Sequence, residues 1–309
     1  MFSVFDGAKI RNKNRLGKRI LVVKFLFTEF YEYFNNFIFR LCVLLHPKKN
    51  EIMIREETVF GPIFSRRLGS SLGINLLPEK GKICNFDCIY CECGWNRDGR
   101  NDTVLPTAEK VRRDLEKKLS ELKEGCPVDS ITFSGDGEPT LNPEFPQIID
   151  DTLRLRDKYY PKAKVSVLSN ATRVHIPEVF AALRKVDNPI MKIDAPTNEL
   201  VAKINMPAPG YDVNRVIEAL KQFEGNFVLQ TCMLRGNGFD SSRPEVVLPL
   251  MDIVRLLKPR EWMVYTIDRA TPMQGLEKFS PQEMKALVQP IIDEGFTKVQ
   301  IKGAVEDGV

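Results

Sequence analysis

Cys84-Asn85-Phe86-Asp87-Cys88-Ile89-Tyr90-Cys91 places three thiols within one short turn of chain, separated by gaps of three and then two residues. Thiolates are soft ligands suited to iron–sulfur clusters and zinc, and one loop of this spacing can turn all three sulfurs inward. Three protein ligands leave a coordination position open. That is the mark of a reactive centre, because structural zinc sites are closed by four protein ligands.

A zinc knuckle completed by Cys93 is the competing reading, but Cys91-x-Cys93 is shorter than the usual ligand gap and no His lies nearby. A disulfide framework fits worse. Seven cysteines in 309 residues, odd in number and clustered, suit a reducing compartment, and a cytoplasmic location is expected. Cys42, Cys126 and Cys232 stand alone and read as small buried apolar residues.

The loop, with Tyr90 as the aromatic of Cys-x3-Cys-x-aromatic-Cys, resembles the signature of the radical S-adenosylmethionine (radical SAM) superfamily. The likeness extends to Gly61–Pro78 (GPIFSRRLGSSLGINLLP) and Phe133–Thr140 (FSGDGEPT), which resemble Fe–S oxidoreductases related to wybutosine-synthesis enzymes. The resemblance implies a partial (βα)6 barrel whose open side admits substrate. It also implies a [4Fe-4S] cluster on Cys84, Cys88 and Cys91, with S-adenosylmethionine bound to the fourth iron. Reductive cleavage of that cofactor to a 5′-deoxyadenosyl radical, which abstracts a substrate hydrogen, is the chemistry implied. A flavodoxin or ferredoxin is then expected as electron donor.

From Ser71 onward short apolar runs alternate with amphipathic segments, the pattern of repeated βαβ units on a parallel sheet. Strands are predicted near 71–77, 130–134, 164–169, 189–194, 227–234, 261–266 and 298–301. Helices are predicted near 107–123, 145–158, 176–186, after an Asp212 cap, near 246–257, and after a Ser280/Glu283 capping box. Six or seven strands fall short of a closed eight-stranded barrel.

Ligands of such folds sit beyond the C-terminal ends of the strands. Gly135-Asp136-Gly137-Glu138 leaves the second strand and resembles the family's glycine-rich motif, with Glu138 implied to accept from the cofactor's amino group and Asp136 a departure from the usual glycine. Glycine there permits close approach of backbone. Ser169 and Asn170 leave the third strand and match the region for the cofactor's ribose and carboxylate, although such residues also shape turns unaided. Asp194 ends the fourth strand, where it orients cofactor or substrate or makes a structural hydrogen bond. Tyr90 is implied to lie beside the adenine. Connections 195–211, 235–245 and 268–277 are long enough to close over the open side, with Asn205, Arg235, Arg243, Tyr265 and Arg269 as polar candidates for an unidentified substrate.

Composition separates the first fifty residues from the rest. They carry ten Lys/Arg against three Asp/Glu and eight of the nineteen Phe, which leaves 35 basic against 38 acidic residues beyond them. The overall charge of +4 therefore belongs to this leader, and the mildly acidic body offers no footprint for long nucleic acid. We divide the chain into an N-terminal basic, aromatic extension (1–52) and a core domain (53–309). As a helix, the polar residues of 24–40 fall within an arc of roughly 160°, suited to lying on a membrane surface rather than crossing it. A helix packed against the body and an upstream extension from a misassigned start, with Met53 as initiator, are the competing readings, and the start at Met53 is preferred because the family-like sequence begins only near Thr58. Any membrane contact is expected through this extension alone.

Overall fold

The structure, a computed structural model, describes residues 57–65, 68–98, 102–122 and 126–303. The expectations for the leader and for Cys42 lie outside the described residues. Ten strands form one sheet: β1 (Val59–Ser65), β2 (Gly69–Ile74), β3 (Ser130–Phe133), β4 (Lys164–Ser169), β5 (Asn188–Lys192), β6 (Val228–Gly236), β7 (Phe239–Asp240), β8 (Glu261–Thr266), β9 (Glu277–Lys278) and β10 (Lys298–Lys302). Seven run parallel in the order β2-β3-β4-β5-β6-β8-β10, and β1 adds antiparallel to β2 at one edge. The two-residue β7 and β9 pair antiparallel with the end of β6.

Helices fill the crossovers: α1 (Ala108–Leu122), α2 (Phe145–Tyr159), α3 (Pro177–Lys185), α4 (Asn198–Ile204), α5 (Val213–Lys221), α6 (Pro244–Leu257) and α7 (Pro281–Glu294). Six βα units closed by a seventh parallel strand make a curled, unclosed sheet, the partial barrel that the family resemblance implies. The stripes that predicted the helices are buried. Val111, Leu115 and Leu119 of α1 and Val216, Ile217 and Leu220 of α5 recur at helical spacing against the sheet.

Strand alternation then divides the sheet's two faces. Leu72, Ile131, Phe133, Val165, Val167, Leu229 and Val264 pack with helix residues such as Leu115, Ile148, Leu220 and Val254. The inner face differs from an ordinary apolar core. There Ser71 meets Thr132 (2.7 Å), and Ser130 links Thr132 and Ser166 (3.0 Å each), while Ile190, Val228 and Met263 form a separate apolar cluster. Polar side chains are thus carried inside the barrel, and their hydroxyls satisfy one another.

Two differences from the sequence reading matter for the site. Strand β1 was not expected, because its Gly61-Pro62 interrupts any alternation. The 195–211 connection, read as a long loop able to close over the open side, contains α4 and is tied to the cysteine loop by Ile89 N–H to Ile204 O (2.9 Å), Asp87 N–H to Asn205 O (2.9 Å) and Ala208 N–H to Asn85 O (2.8 Å). The 268–277 connection is likewise held, by Met273 N–H to Ile89 O (3.2 Å). Among the described residues no helix is long and apolar enough to cross a membrane.

Candidate functional site

Beyond the C-terminal ends of the strands a cavity of ≈ 250 Å³ is lined by Cys84, Cys88, Cys91, Tyr90, Gly135, Gly137, Glu138, Ser169 and Asn170, among others. The cysteine loop begins with a backbone bridge to the exit of β3. Ile83 N–H donates to Asp136 O (3.1 Å), and Glu138 N–H donates to Ile83 O (3.1 Å). This bridge explains the glycine at 137. Its φ is +140°, and a Cβ would stand 1.8 Å from Ile83 O, so no other residue lets the two backbones meet. Gly135 is similarly pressed on the Asn75 side chain. The close approach expected toward a cofactor is thus also used within the protein.

Each thiol has its own surroundings. Asn205 Nδ2 donates to Cys88 Sγ at 3.3 Å, and Asn170 Nδ2 lies 3.8 Å from Cys84 Sγ. Burial pushes the Cys84 thiol well above the ordinary range, with the Glu138 carboxylate adding to it, and pushes Cys88 up to about 12. Cys91 goes the other way, because Cys93 donates to its sulfur and the Lys82 ammonium faces it. Lys82 itself, 1% exposed at its side chain, donates to Gly94 O (2.5 Å) and Asp87 Oδ1 (3.3 Å). Burial opposes its charge, but the sulfurs of Cys91 and Cys84 outweigh that and hold it protonated.

The donor set suits a polynuclear centre. Among the described residues no three His, Cys, Asp or Glu side chains gather closely enough for one ion, as tetrahedral zinc would require. The three sulfurs instead share the wall of one cavity, as ligands to separate irons do. Buried thiols that resist ionisation, with one cation beside them, are stabilised as thiolates by a metal charge.

Glu138 is buried and caps the turn that follows it. Its Oε1 accepts from Thr140 N–H (3.1 Å), Thr140 Oγ1 (2.5 Å) and Ser169 Oγ (2.9 Å), whereas among the described residues Oε2 accepts only from Asn170 N–H (2.7 Å). Burial raises its pKa against the pull of these hydrogen bonds. Asn170 also holds Asn85 Oδ1 (2.6 Å) and Thr172 Oγ1 (2.7 Å), so Ser169 and Asn170 serve the protein's own turn as well as facing the cavity.

Asp136 and Asp194, both named from the sequence, do not line the cavity. Asp136 is buried behind Cys93, whose Sγ lies 3.5 Å from its Oδ1, and its N–H donates to Asn75 Oδ1 (3.1 Å). Asp194, fully buried, accepts from the Tyr90 hydroxyl, Asn205 Nδ2 (2.8 Å) and Cys232 N–H (2.8 Å). It therefore orients Tyr90 from behind. Of the loop candidates, Tyr265 and Arg269 reach the cavity, Asn205 reaches Cys88, and Arg235 turns away to Glu283 (3.0 Å). Arg243 is exposed beside Glu245.

Cavity-wall residues that the sequence reading missed include Lys82, Glu92, Lys192, Gln230 and Asp268. Lys192 lies between the rings of Tyr90 (5.2 Å) and Tyr265 (5.0 Å) and stays charged because Asp194 and Tyr265 outweigh its burial. Alternation was the available signal, since Lys192 shares a strand face with Asp194 two residues on.

The model of the Radical SAM superfamily matches residues 79–240, and the chain belongs to that superfamily. A UPF0026 protein of Synechocystis sp. is 30% identical over 70% of this chain and 77% of its own length. The GTPase Obg of Brachyspira hyodysenteriae is 27% identical over 79% of this chain, which spans only 35% of that relative. A radical SAM methyltransferase from Sphaerobacter thermophilus superposes with a TM-score of 0.59 at 14% identity, covering 79% of this chain and 69% of its own. SuiB of Streptococcus suis, bound to S-adenosylmethionine, gives 0.55 at 17% identity over 75% of this chain and 50% of its own.

Proposed function

We propose that this chain is an enzyme that holds a [4Fe-4S] cluster on Cys84, Cys88 and Cys91 and binds S-adenosylmethionine beside it. The observation that carries the reading is the convergence of the three sulfurs, Glu138, Ser169 and Asn170 on one cavity at the strand exits. The chemistry that the bound cluster and cofactor supply is one-electron cleavage of the sulfonium C–S bond, giving methionine and a 5′-deoxyadenosyl radical for hydrogen abstraction. The protein's part is to bind, orient and shield.

Glu138 Oε2, with a single donor among the described residues, is the acceptor offered to the cofactor's amino group. Ser169 and Asn170 flank it on the side of ribose and carboxylate. Asp194 and Asn205 fix the Tyr90 ring, whose backbone is offered to the adenine. The 195–211 and 268–277 connections are both fastened to the cysteine loop, and the second gives Asp268, Arg269 and Thr271 to the cavity wall. A flavodoxin or ferredoxin is the proposed electron donor. The stretches at 61–78 and 133–140 support a subgroup related to wybutosine-synthesis enzymes.

Anaerobic loading with ferrous iron and sulfide tests the reading. Wild-type protein is expected to turn brown and, with dithionite and S-adenosylmethionine, to release 5′-deoxyadenosine. Alanine at Cys84, Cys88 or Cys91 abolishes both, whereas Cys93→Ala keeps the colour. A brown sample that releases no 5′-deoxyadenosine defeats the enzyme reading.

A further inference from the structure

The cysteine loop is wrapped around an ammonium. Lys82 stands two residues before Cys84, its side chain 1% exposed, and reaches Asp87 Oδ1 (3.3 Å) and Gly94 O (2.5 Å), five and twelve residues on. Gly94 N–H in turn donates to Cys91 O (3.0 Å), and Asp87 Oδ1 accepts from Asn96 N–H (2.8 Å). Asn96 Nδ2 ties the start of the loop, donating to Cys84 O and Phe86 O (3.0 Å each). The three cysteines therefore lie on backbone whose beginning, middle and end meet one charged nitrogen.

That nitrogen carries more charge than its oxygen partners offset. Burying a cation is expensive unless an anion and further acceptors compensate it. The closest acceptor, Gly94 O, is neutral, and the Asp87 carboxylate stands at 3.3 Å, longer than a strong charge-assisted bond. Nζ has three protons, of which two go to these oxygens and the third is left for Cys91 Sγ, the sulfur that Lys82 faces. A glutamine amide has donors enough for both oxygens, so fastening the loop does not call for a charge. Negative sulfurs do. Cys84 and Cys88 have neutral donors instead, Phe86 N–H at 3.4 Å and Asn205 Nδ2 at 3.3 Å. Lys192 also faces Cys88, but Asp194 bears on the same sulfur with the opposite sign.

We propose that Lys82 sets the working potential of the cluster: its fixed charge beside Cys91 favours the reduced state and brings the cluster within reach of a one-electron donor. Three thiolates make the loaded site negative, and an added electron makes it more so. A buried cation beside them therefore stabilises the reduced form more than the oxidised one. The proposal rests on the cluster reading and concerns the arrival of the electron rather than the cleavage that follows.

Wild type, Lys82→Met and Asp87→Asn, each as the full chain, are loaded anaerobically with ferrous iron and sulfide. They are titrated with dithionite through viologen mediators, and the reduced cluster is read by electron paramagnetic resonance. Lys82→Met keeps the length of the side chain and removes its charge. Its midpoint is expected to become more negative, by roughly tenfold or more in the reduction equilibrium, about 59 mV for one electron. Asp87→Asn keeps the acceptor for Asn96 N–H but removes the opposing charge, so its midpoint is expected to become less negative. A lysine that only fastens the loop would not order the two midpoints by charge. Equal midpoints in Lys82→Met and wild type, or shifts of both variants in one direction, overturn the proposal. So does a fall in S-adenosylmethionine affinity of Lys82→Met at an unchanged midpoint, which would assign the ammonium to the cofactor's carboxylate. Should Lys82→Met fail to load, Asp87→Asn decides: a less negative midpoint supports the proposal, and an unchanged or more negative one overturns it. If neither variant takes up iron while wild type turns brown, the ammonium serves to hold the loop and the proposal falls. A wild type that stays colourless sinks the cluster reading itself, and the role of Lys82 with it.

Discussion

The Asn205 amide donates to Cys88 Sγ at 3.3 Å and to Asp194 Oδ2 at 2.8 Å, so the residue that ends α4 ties the cysteine loop to the exit of β5. Two protons are shared among Cys88, Asp194 and the Tyr90 hydroxyl (3.0 Å), all of them buried or half-buried. Asn205→Leu keeps the volume and removes every donor. We expect a loss of about 1–3 kcal/mol in urea unfolding, because Asp194 is left short of a partner where water cannot replace it. In loaded protein the same variant should shift the midpoint potential to more negative values, since hydrogen bonds to ligating sulfurs favour the reduced cluster. Unchanged stability together with an unchanged potential would show that the contact has no energetic weight.

Gly137 allows a sharper test. Alanine there must take a φ of +140° and place a carbon 1.8 Å from Ile83 O. Neither strain can be relieved by rotating a side chain, because both partners are backbone. Gly137→Ala should cost at least about 3 kcal/mol and detach the cysteine loop from β3, with iron content falling alongside. A variant that unfolds and takes up iron as wild type does would break the argument.

The thiols should differ in reactivity. In iron-free protein Cys91 is held as thiolate at lower pH than a free cysteine by Cys93 and Lys82, whereas burial keeps Cys84 and Cys88 protonated. Iodoacetamide followed by peptide mapping is therefore expected to label Cys91 first at neutral pH, with a pH midpoint below the ordinary thiol value. Cys93→Ala removes the donated hydrogen bond and should move that midpoint upward. Faster labelling of Cys84 or Cys88 than of Cys91 at pH 7 would contradict this ordering.

How far the sequence carries can be seen strand by strand. The bounds of β4 (164–169) and β8 (261–266) were read correctly because each is a compact apolar run between clear breakers. The short α4 escaped because seven residues with only Val201 and Ile204 buried give too little periodicity. The paired segments β7 and β9 escaped because two residues carry no pattern, and only the partner on β6 creates them. At the site, the residues bearing reactive atoms were legible in one short motif. Lys192 was not, since a lysine at a strand end reads as solvated until Tyr90 from a loop and Tyr265 from β8 close around it. That Asp136 stands outside the cavity lining, behind Cys93, was equally hidden, because Cys93 comes from a loop distant in sequence.

The last prediction concerns acid. Ser280 and Glu283 form the capping box expected from the sequence: Glu283 N–H donates to Ser280 Oγ (3.1 Å), and Ser280 N–H donates to Glu283 Oε2 (2.8 Å). Glu283 also receives Arg235 Nη2 at 3.0 Å, and that guanidinium lies over the Phe279 ring at 3.7 Å. Donation from the Ser280 backbone and hydroxyl, with Arg235 adding, holds the Glu283 carboxyl down at about 2 from an ordinary 4.5. The folded state thus binds this proton more weakly than the unfolded chain does. Its contribution to stability is full above pH 4.5 and is lost as pH falls from there toward 2. Glu283→Gln carries no titrating group, so the gap between wild type and variant should be constant above pH 5 and shrink on acidification. Urea midpoints from pH 6 to pH 2.5 measure that gap, and one that widened with acid would reverse the sign of the linkage and with it the role of the cap.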